Sequence, residues 1–258
     1  MKFVKMHGLG NDYVFTDGFT QTLPEDLPAL SREISAPHTG IGSDGLIVIL
    51  PSNYADAEMR IFNADGSEAQ ICGNGLRCVA RYLRDEGITS IDRVSVITGA
   101  GLRECELKED GLVKVDMGEP VLLDEEPIEV QGVKLLRVSM GNPHAVACGY
   151  WPEDSEFYRI GPSLENDPLF PERTNVEFVR VKNESEFTMR VWERGSGETM
   201  ACGSGTCASF AAARHLGLVG DHCLAHLAGG DLQLQMKGGR VYMTGPAVRV
   251  FTGEWPEK

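Results

Sequence analysis

Two cysteines carry the strongest chemical signal in this chain. Cys72 stands before Gly73-Asn74-Gly75, and Cys202 stands before Gly203-Ser204-Gly205. Each triplet runs into a segment that reads as helix. Small residues leave backbone N–H groups open to a ligand. A helix N-terminus adds donors and positive potential, which suits a carboxylate. The same field is expected to draw a thiol pKa from about 8.5 toward neutrality. Two such thiols on opposite faces of a carbon acid can invert it. One thiolate removes the α-proton, and the other thiol delivers a proton from the far side. Converging N–H groups would stabilise the charge that builds on an adjacent carboxylate. A cysteine tuned near the operating pH suits this acid–base work, so neither a cofactor nor a metal is expected. The other five cysteines, Cys78, Cys105, Cys148, Cys207 and Cys223, read as small buried hydrophobes. The spacings Cys72…Cys78 and Cys202…Cys207 do not match zinc sites, and the loose His222-Cys223-His226 group is read as structural.

The cysteine loops belong to a repeat. Met59-Arg60-Ile61-Phe62-Asn63 resembles Met189-Arg190-Val191-Trp192-Glu193, and at the same offset of 130 residues Glu68 matches Glu198 and Cys72 matches Cys202. Leu9-Gly10-Asn11-Asp12-Tyr13 likewise resembles Met140-Gly141-Asn142-Pro143-His144. A period this long is domain-sized, so two similar domains related by duplication are expected. The boundaries expected are 1–117 plus 246–258 for one and 118–245 for the other, with crossings near Gly118-Glu119-Pro120 and Gly245-Pro246.

The elements that must hold the loops are mostly strands. β-branched or alternating runs bounded by Gly or Pro occur at Phe3–His7, Tyr13–Asp17, Leu46–Leu50, Met59–Phe62, Val94–Thr98, Leu102–Leu107 and Val113–Met117. The second half repeats them at Val133–Ser139, Ala145–Cys148, Val176–Val181, Phe187–Trp192, Leu232–Met236 and Val241–Thr244. After the first cysteine, Leu76, Val79, Ala80 and Leu83 make a helical stripe with Arg77, Arg81 and Arg84 opposite, and Gly87 stops it. The partner helix, Thr206 to Leu216, is apolar or small nearly all round and should be buried on most sides. A further helix is expected near Leu27–Ser35, and Ala247–Phe251 alternates as a strand returning to the first domain. The fold class is therefore α/β of the α+β type, with each sheet curved around a buried helix and the site in the cleft between the two domains. Arg60 and Arg190, matched in the repeat, are read as strand-stabilising.

Composition narrows the partners. The 258 residues carry 24 Lys+Arg against 38 Asp+Glu, a net charge of −14. Such a chain is a poor partner for nucleic acid or an anionic membrane. The longest aliphatic run, Leu46–Leu50, is far short of the roughly 20 residues that span a bilayer. Seven cysteines and no apolar leader argue for reduced thiols in the cytoplasm.

Four blocks together resemble diaminopimelate epimerase over nearly the whole chain. They are Met6-His7-Gly8-Leu9-Gly10-Asn11-Asp12, Asn63-Ala64-Asp65-Gly66-Ser67 through Cys72-Gly73-Asn74-Gly75, Met140-Gly141-Asn142-Pro143-His144, and Glu193-Arg194-Gly195 through Ala201-Cys202-Gly203-Ser204-Gly205. The resemblance implies interconversion of LL- and meso-2,6-diaminopimelate in lysine and peptidoglycan precursor synthesis, by a homodimer of two-domain chains, each domain a barrel-like sheet around a central helix. It implies Cys72 as proton donor and Cys202 as acceptor in the LL-to-meso direction, with His144 and Glu193 tuning the thiols. It places Gly73, Asn74, Gly203 and Ser204 at the reacting carboxylate, and Asn11, Asn63, Asn142, Asn175, Glu193 and Arg194 at the distal amino-acid end. Arg194 suits a carboxylate clamp there, and Glu193 with the Asn amide oxygens suits an ammonium. Some family members carry glutamine where this chain has Gly45, so that contact is absent here or made by backbone. The alternatives are a proline or hydroxyproline racemase, whose substrate has no distal charged end, and a thiol redox or metal-binding module.

Overall fold

The computed structural model describes residues 1–256. Contacts divide the chain into two compact units, Met1–Val115 with the segment from Gly245 onward, and Asp116–Thr244. The first unit holds β1 (Lys2–Gly8), β2 (Asn11–Asp17), α1 (Leu27–Ser35), β3 (Gly45–Leu50), β4 (Ala57–Asn63), the short β5 (Glu68–Ala69), α2 (Gly73–Asp85), β6 (Arg93–Thr98), β7 (Gly101–Leu107) and β8 (Val113–Gly118), whose end reaches the second unit. The second holds β9 (Val121–Leu122), β10 (Ile128–Val130), β11 (Val133–Ser139), β12 (Pro143–Cys148), α3 (Asp154–Glu165), β13 (Asn175–Asn183), β14 (Glu186–Glu193), β15 (Gly197–Glu198), α4 (Gly203–His215), β16 (His222–Leu227), β17 (Gly230–Lys237) and β18 (Arg240–Gly245). The last strand, β19 (Val248–Glu254), belongs to the first unit and pairs antiparallel with β1.

The duplication is visible in the ladders. In the first unit β1–β2 is antiparallel, β2–β3 parallel, β3–β4 antiparallel, β4–β6 parallel and β6–β7 antiparallel. The second runs β11–β12 antiparallel, β12–β13 parallel, β13–β14 antiparallel, β14–β16 parallel and β16–β17 antiparallel. Helices α1 and α3 fill the parallel crossovers, as a parallel pair requires. At the edge, β19 lies on β1 as β9 lies on β11.

Helix α2 packs against β1, β2 and β7, strands from both ends of its sheet, so the sheet wraps around it. Helix α4 packs against β11, β12, β13 and β14, and ten of its thirteen residues are buried. Full burial of a residue such as Phe210 contributes about 1.5–3 kcal/mol, which sets these helices at the centre of their units.

Arg77, opposite the apolar stripe of α2, is fully buried, with Nε donating to Pro246 O at 3.0 Å and Nη2 to Asn74 Oδ1 at 2.9 Å. The enclosing sheet leaves α2 little open face near its N-terminus, so the guanidinium is satisfied internally. The His222-Cys223-His226 group, read as structural, is part of β16, and His226 turns to Asp231 at 2.8 Å. The strand reading of the matched arginines fits: Arg60 is bidentate to Glu68 at 2.8 and 3.0 Å, and Arg190 meets Glu198 at 2.9 Å.

Candidate active site

Each cysteine is the N-cap of its helix. Cys72 has φ −138° and ψ 109°, and Cys202 has φ −119° and ψ 109°, so both are extended where the helix begins. Gly73 and Gly203 are the first helical residues, and their N–H groups are among the orphan donors of a helix start. The glycines at the third position are forced by close packing. A Cβ on Gly75 would sit 2.5 Å from Ile47 Cδ1, and one on Gly205 would sit 2.5 Å from Glu177 Oε1.

In the first unit Cys72 is half-buried. Its sulfur accepts from Gly75 N at 3.3 Å and donates to Asn11 Oδ1 at 3.3 Å. Asn11 Nδ2 is held by Asp44 at 2.7 Å, and Asn74 Nδ2 reaches Asn11 Oδ1 at 3.4 Å. Asn74 is itself fixed by Arg77 from below. Tyr13 joins this group: it is buried, and its phenol is pushed well above its ordinary range by burial and by Cys72 and Asp44 beside it. Asn63 donates to Ser67 Oγ at 2.9 Å across the turn after β4. At Gly45 a Cβ would lie 2.1 Å from Phe62 O, so this backbone admits no glutamine there.

The second unit surrounds Cys202 differently. The thiol is buried, 3.6 Å from Ser204 Oγ. Ser204 meets Asn142 Nδ2 at 3.4 Å, and Asn142 Oδ1 meets His144 Nε2 at 3.1 Å. His144 Nδ1 meets Glu177 Oε1 at 2.7 Å, with both side chains fully enclosed. Burial, then Glu193, then Glu177 drive the Cys202 thiol well above its ordinary value, and the Gly205 N–H and Ser204 hydroxyl oppose this only in part. The expectation that the helix end lowers this pKa is therefore overturned for Cys202, because desolvation and two carboxylates outweigh the helix field. Burial also raises Glu193, which bonds Thr199 and Cys202.

Asn175 and Arg194 lie around one turn, away from Asn11, Asn63 and Asn142 in sequence. Asn175 uses both ends of its amide: Nδ2 donates to Pro143 O at 2.8 Å, and Oδ1 accepts from Arg194 N at 2.9 Å. Arg194 is exposed and its Nη1 donates to Glu172 O at 3.1 Å. The turn hangs from α3, whose last residue, Glu165, accepts from Gly195 N at 2.7 Å and from Trp192 Nε1 at 2.8 Å. Sequence reasoning missed Tyr13, Asp44, Glu165 and Glu177. The signal for Glu177 was available: it is an acid inside an apolar strand, at the repeat position of Ile47.

A sequence model of the family described as diaminopimelate epimerase matches residues 3–123 and 136–250. The diaminopimelate epimerase of Acetivibrio thermocellus is 47% identical over 275 aligned positions, covering 98% of this chain and 98% of that protein. The diaminopimelate epimerase of Moorella thermoacetica is 48% identical over 280 positions, covering 99% of each. Among solved structures, a hydroxyproline epimerase from Agrobacterium vitis with bound trans-4-hydroxy-L-proline aligns with a TM-score of 0.74 at 17% identity, covering 98% of this chain and 91% of that one. A PhzF-family phenazine biosynthesis protein of Bacillus anthracis aligns with a TM-score of 0.75 at 16% identity, covering 100% and 99%. These two speak for the fold alone.

Proposed function

This chain belongs to the diaminopimelate epimerase family, and we propose that it interconverts LL- and meso-2,6-diaminopimelate by proton transfer between substrate and two thiols. The observation that carries the reading is the duplicated half-site: in each unit a cysteine caps a helix that opens Gly-x-Gly. Inversion needs a base at one face of the α-carbon and an acid at the other, and a duplicated thiol supplies both. Cys202 accepts the proton from the LL isomer while Cys72 donates, and the roles reverse from meso. Glu193, bonded to Cys202 and raised by burial, receives the thiol's proton as the thiolate forms. The N–H groups at Gly73, Asn74, Gly203 and Ser204 hold the reacting carboxylate and the charge that develops on it. Asn11, Asn63, Asn142, Asn175, Glu193 and Arg194 select the distal end, with Asn175 acting through the Arg194 backbone. A proline-type substrate has no distal end for the Glu193-Arg194 turn to read.

The test is solvent exchange. Reduced protein with LL-diaminopimelate in D2O should lose the α-proton NMR signal as meso isomer forms. Exchange with proline and none with LL-diaminopimelate would keep the chemistry and discard the substrate. Absence of exchange with both, in folded and reduced protein, would end the reading.

The reading includes a cytoplasmic homodimer. The seven cysteines are free thiols. Strand β19 pairs with β1 alone among the described residues and exposes Val248, Val250 and Phe251, an apolar edge that a second copy would cover. Light scattering should give twice the chain mass of 28.1 kDa, and Val250→Asp should shift it toward monomer. A wild-type monomer at working concentration would remove the dimer from the proposal.

A further inference from the structure

Glu177 is a fully buried carboxylate near Cys202 that the proposed proton transfer does not use. It stands on β13 between Val176 and Phe178 with no exposed side-chain surface. Its Oε1 meets His144, and its Oε2 has no hydrogen-bond partner among the described residues. A buried carboxylate with an unsatisfied oxygen costs about 1–3 kcal/mol or more. The first unit shows that packing does not require it. At the repeat position, Ile47 fills the space beside Gly75 as Glu177 fills the space beside Gly205.

We propose that Glu177 is a positioning residue for Cys202, fixing which nitrogen of His144 carries a proton and thereby setting, through Asn142 and Ser204, the hydrogen bonding of the thiol. Where Glu177 is a carboxylate it only accepts, which makes Nδ1 of His144 the N–H and leaves Nε2 facing Asn142 Oδ1. When Nε2 holds a lone pair, the Asn142 amide must present NH2 to it and oxygen to Ser204. When Nε2 holds a proton, the amide turns over, and its NH2 meets Ser204. Ser204 changes between donor and acceptor with that turn, and its hydroxyl is the group 3.6 Å from the Cys202 sulfur. The ring's protonation is thus communicated to the thiol by hydrogen-bond direction alone. Cys202 also faces Glu193 from β14, Glu177 from β13 and the Gly205 N–H of its own helix. Cys72 has Tyr13 and Asn11 in its surroundings.

The inference rests on Cys202 acting as acid and base in the proposed reaction. Two measurements test it independently of turnover. In wild-type protein, 15N NMR of the His144 ring should show Nδ1 protonated, and a neutral ring protonated at Nε2 would overturn the proposal. In Glu177→Gln, alkylation of each cysteine by iodoacetamide is followed against pH by peptide mass spectrometry. The Cys202 profile should move to lower pH, because a neighbouring negative charge is gone, while the Cys72 profile stays. Equal profiles in variant and wild type would overturn it. The variant's kcat should fall about tenfold, a fraction of the ~10²–10⁴ that an acid–base group contributes. If Glu177→Gln does not fold, Glu177→Ile, which copies Ile47 of the first unit, takes its place, and the ring measurement needs no variant. Wild-type protein that leaves the α-proton of diaminopimelate untouched would defeat the proposed reaction, and the ring and alkylation results would still decide the role of Glu177.

Discussion

Replacing either active thiol should stop inversion while leaving proton exchange on one face. Cys72→Ala and Cys202→Ala are each expected to lower kcat for epimerisation by about 10³-fold or more, near the upper range for loss of a positioned acid or base. The variants should differ in what remains. In Cys72→Ala the Cys202 thiolate can still remove a proton and return solvent deuterium to the same face. With Cys202 as the base for the LL isomer, that variant should wash deuterium into LL without forming meso. Cys202→Ala should do the reverse, labelling meso without forming LL. Removing Cys72 also removes the cap bond to Gly75, which costs about 0.5–2 kcal/mol. Thermal melts on both variants separate that loss from the chemistry. Inversion by either variant at near the wild-type rate would rule out the two-thiol mechanism, and exchange on the opposite isomers would swap the two roles.

The surroundings of the thiols explain why those roles need not be interchangeable. The duplication gives both units the same ladder order and the same capped helix, yet the side chains have diverged. Tyr13 in the first unit occupies the repeat position of His144 in the second, as Ile47 does that of Glu177. Cys72 therefore has a phenol and an amide in its surroundings, and Cys202 has two carboxylates, one of them paired with an imidazole. A thiol pushed up by burial and by Glu193 and Glu177 keeps its proton at rest. Once deprotonated it is a stronger base than an ordinary thiolate, which would suit removal of a weakly acidic α-proton.

Much of this was legible because a strand that alternates, or a helix with an apolar stripe, declares itself locally. The helix at Leu27–Ser35 has the bounds that the sequence indicated, and Val133–Ser139 is likewise a strand. Helix α3 was not read, although its buried Phe157, Ile160, Gly161 and Leu164 repeat the spacing of Leu27, Leu30, Ser31 and Ile34 in α1. Pro162 inside it disguised the pattern, and only the 130-residue offset would have exposed it. Strand β16 was hidden by its histidines, which suggest ligands before they suggest a strand. The candidate loops were legible because glycine, cysteine and a helix start are local features. Glu177, Glu165 and Tyr13 were not, because their meaning lies in contacts between distant segments. Helical spacing placed Arg77 opposite the stripe, but it could not show that the sheet closes over that side as well.

Arg77→Leu should be the most damaging substitution outside the thiols. The guanidinium is fully buried, and its bonds include two that no aliphatic side chain can make. One reaches Pro246 O, where the C-terminal segment returns to pair with β1. The other reaches Asn74 Oδ1, in the loop that carries Cys72. Its Nη2 also lies 2.7 Å from where a Cβ on Gly8 would stand, so the pocket is shaped to the fork. Leucine leaves two oxygens short of a donor and part of the volume empty, a loss of about 3–5 kcal/mol. For a chain of this size that is a fall in Tm of roughly 6–20 °C. Arg77→Lys keeps a charge but cannot span both acceptors, so it should recover stability only in part. The two bonds have separable consequences. Loss of the Pro246 contact lowers the melting point alone. Loss of the Asn74 contact loosens the residue whose backbone N–H is proposed to hold the substrate carboxylate, so KM should rise even well below the new Tm. Thermal unfolding and substrate titration at about 20 °C, on both variants, measure the two effects. A leucine variant that melts with the wild type would show that neither bond matters to folding. One that melts early with KM unchanged would detach Arg77 from the site and leave it a fastener for the C-terminal strand.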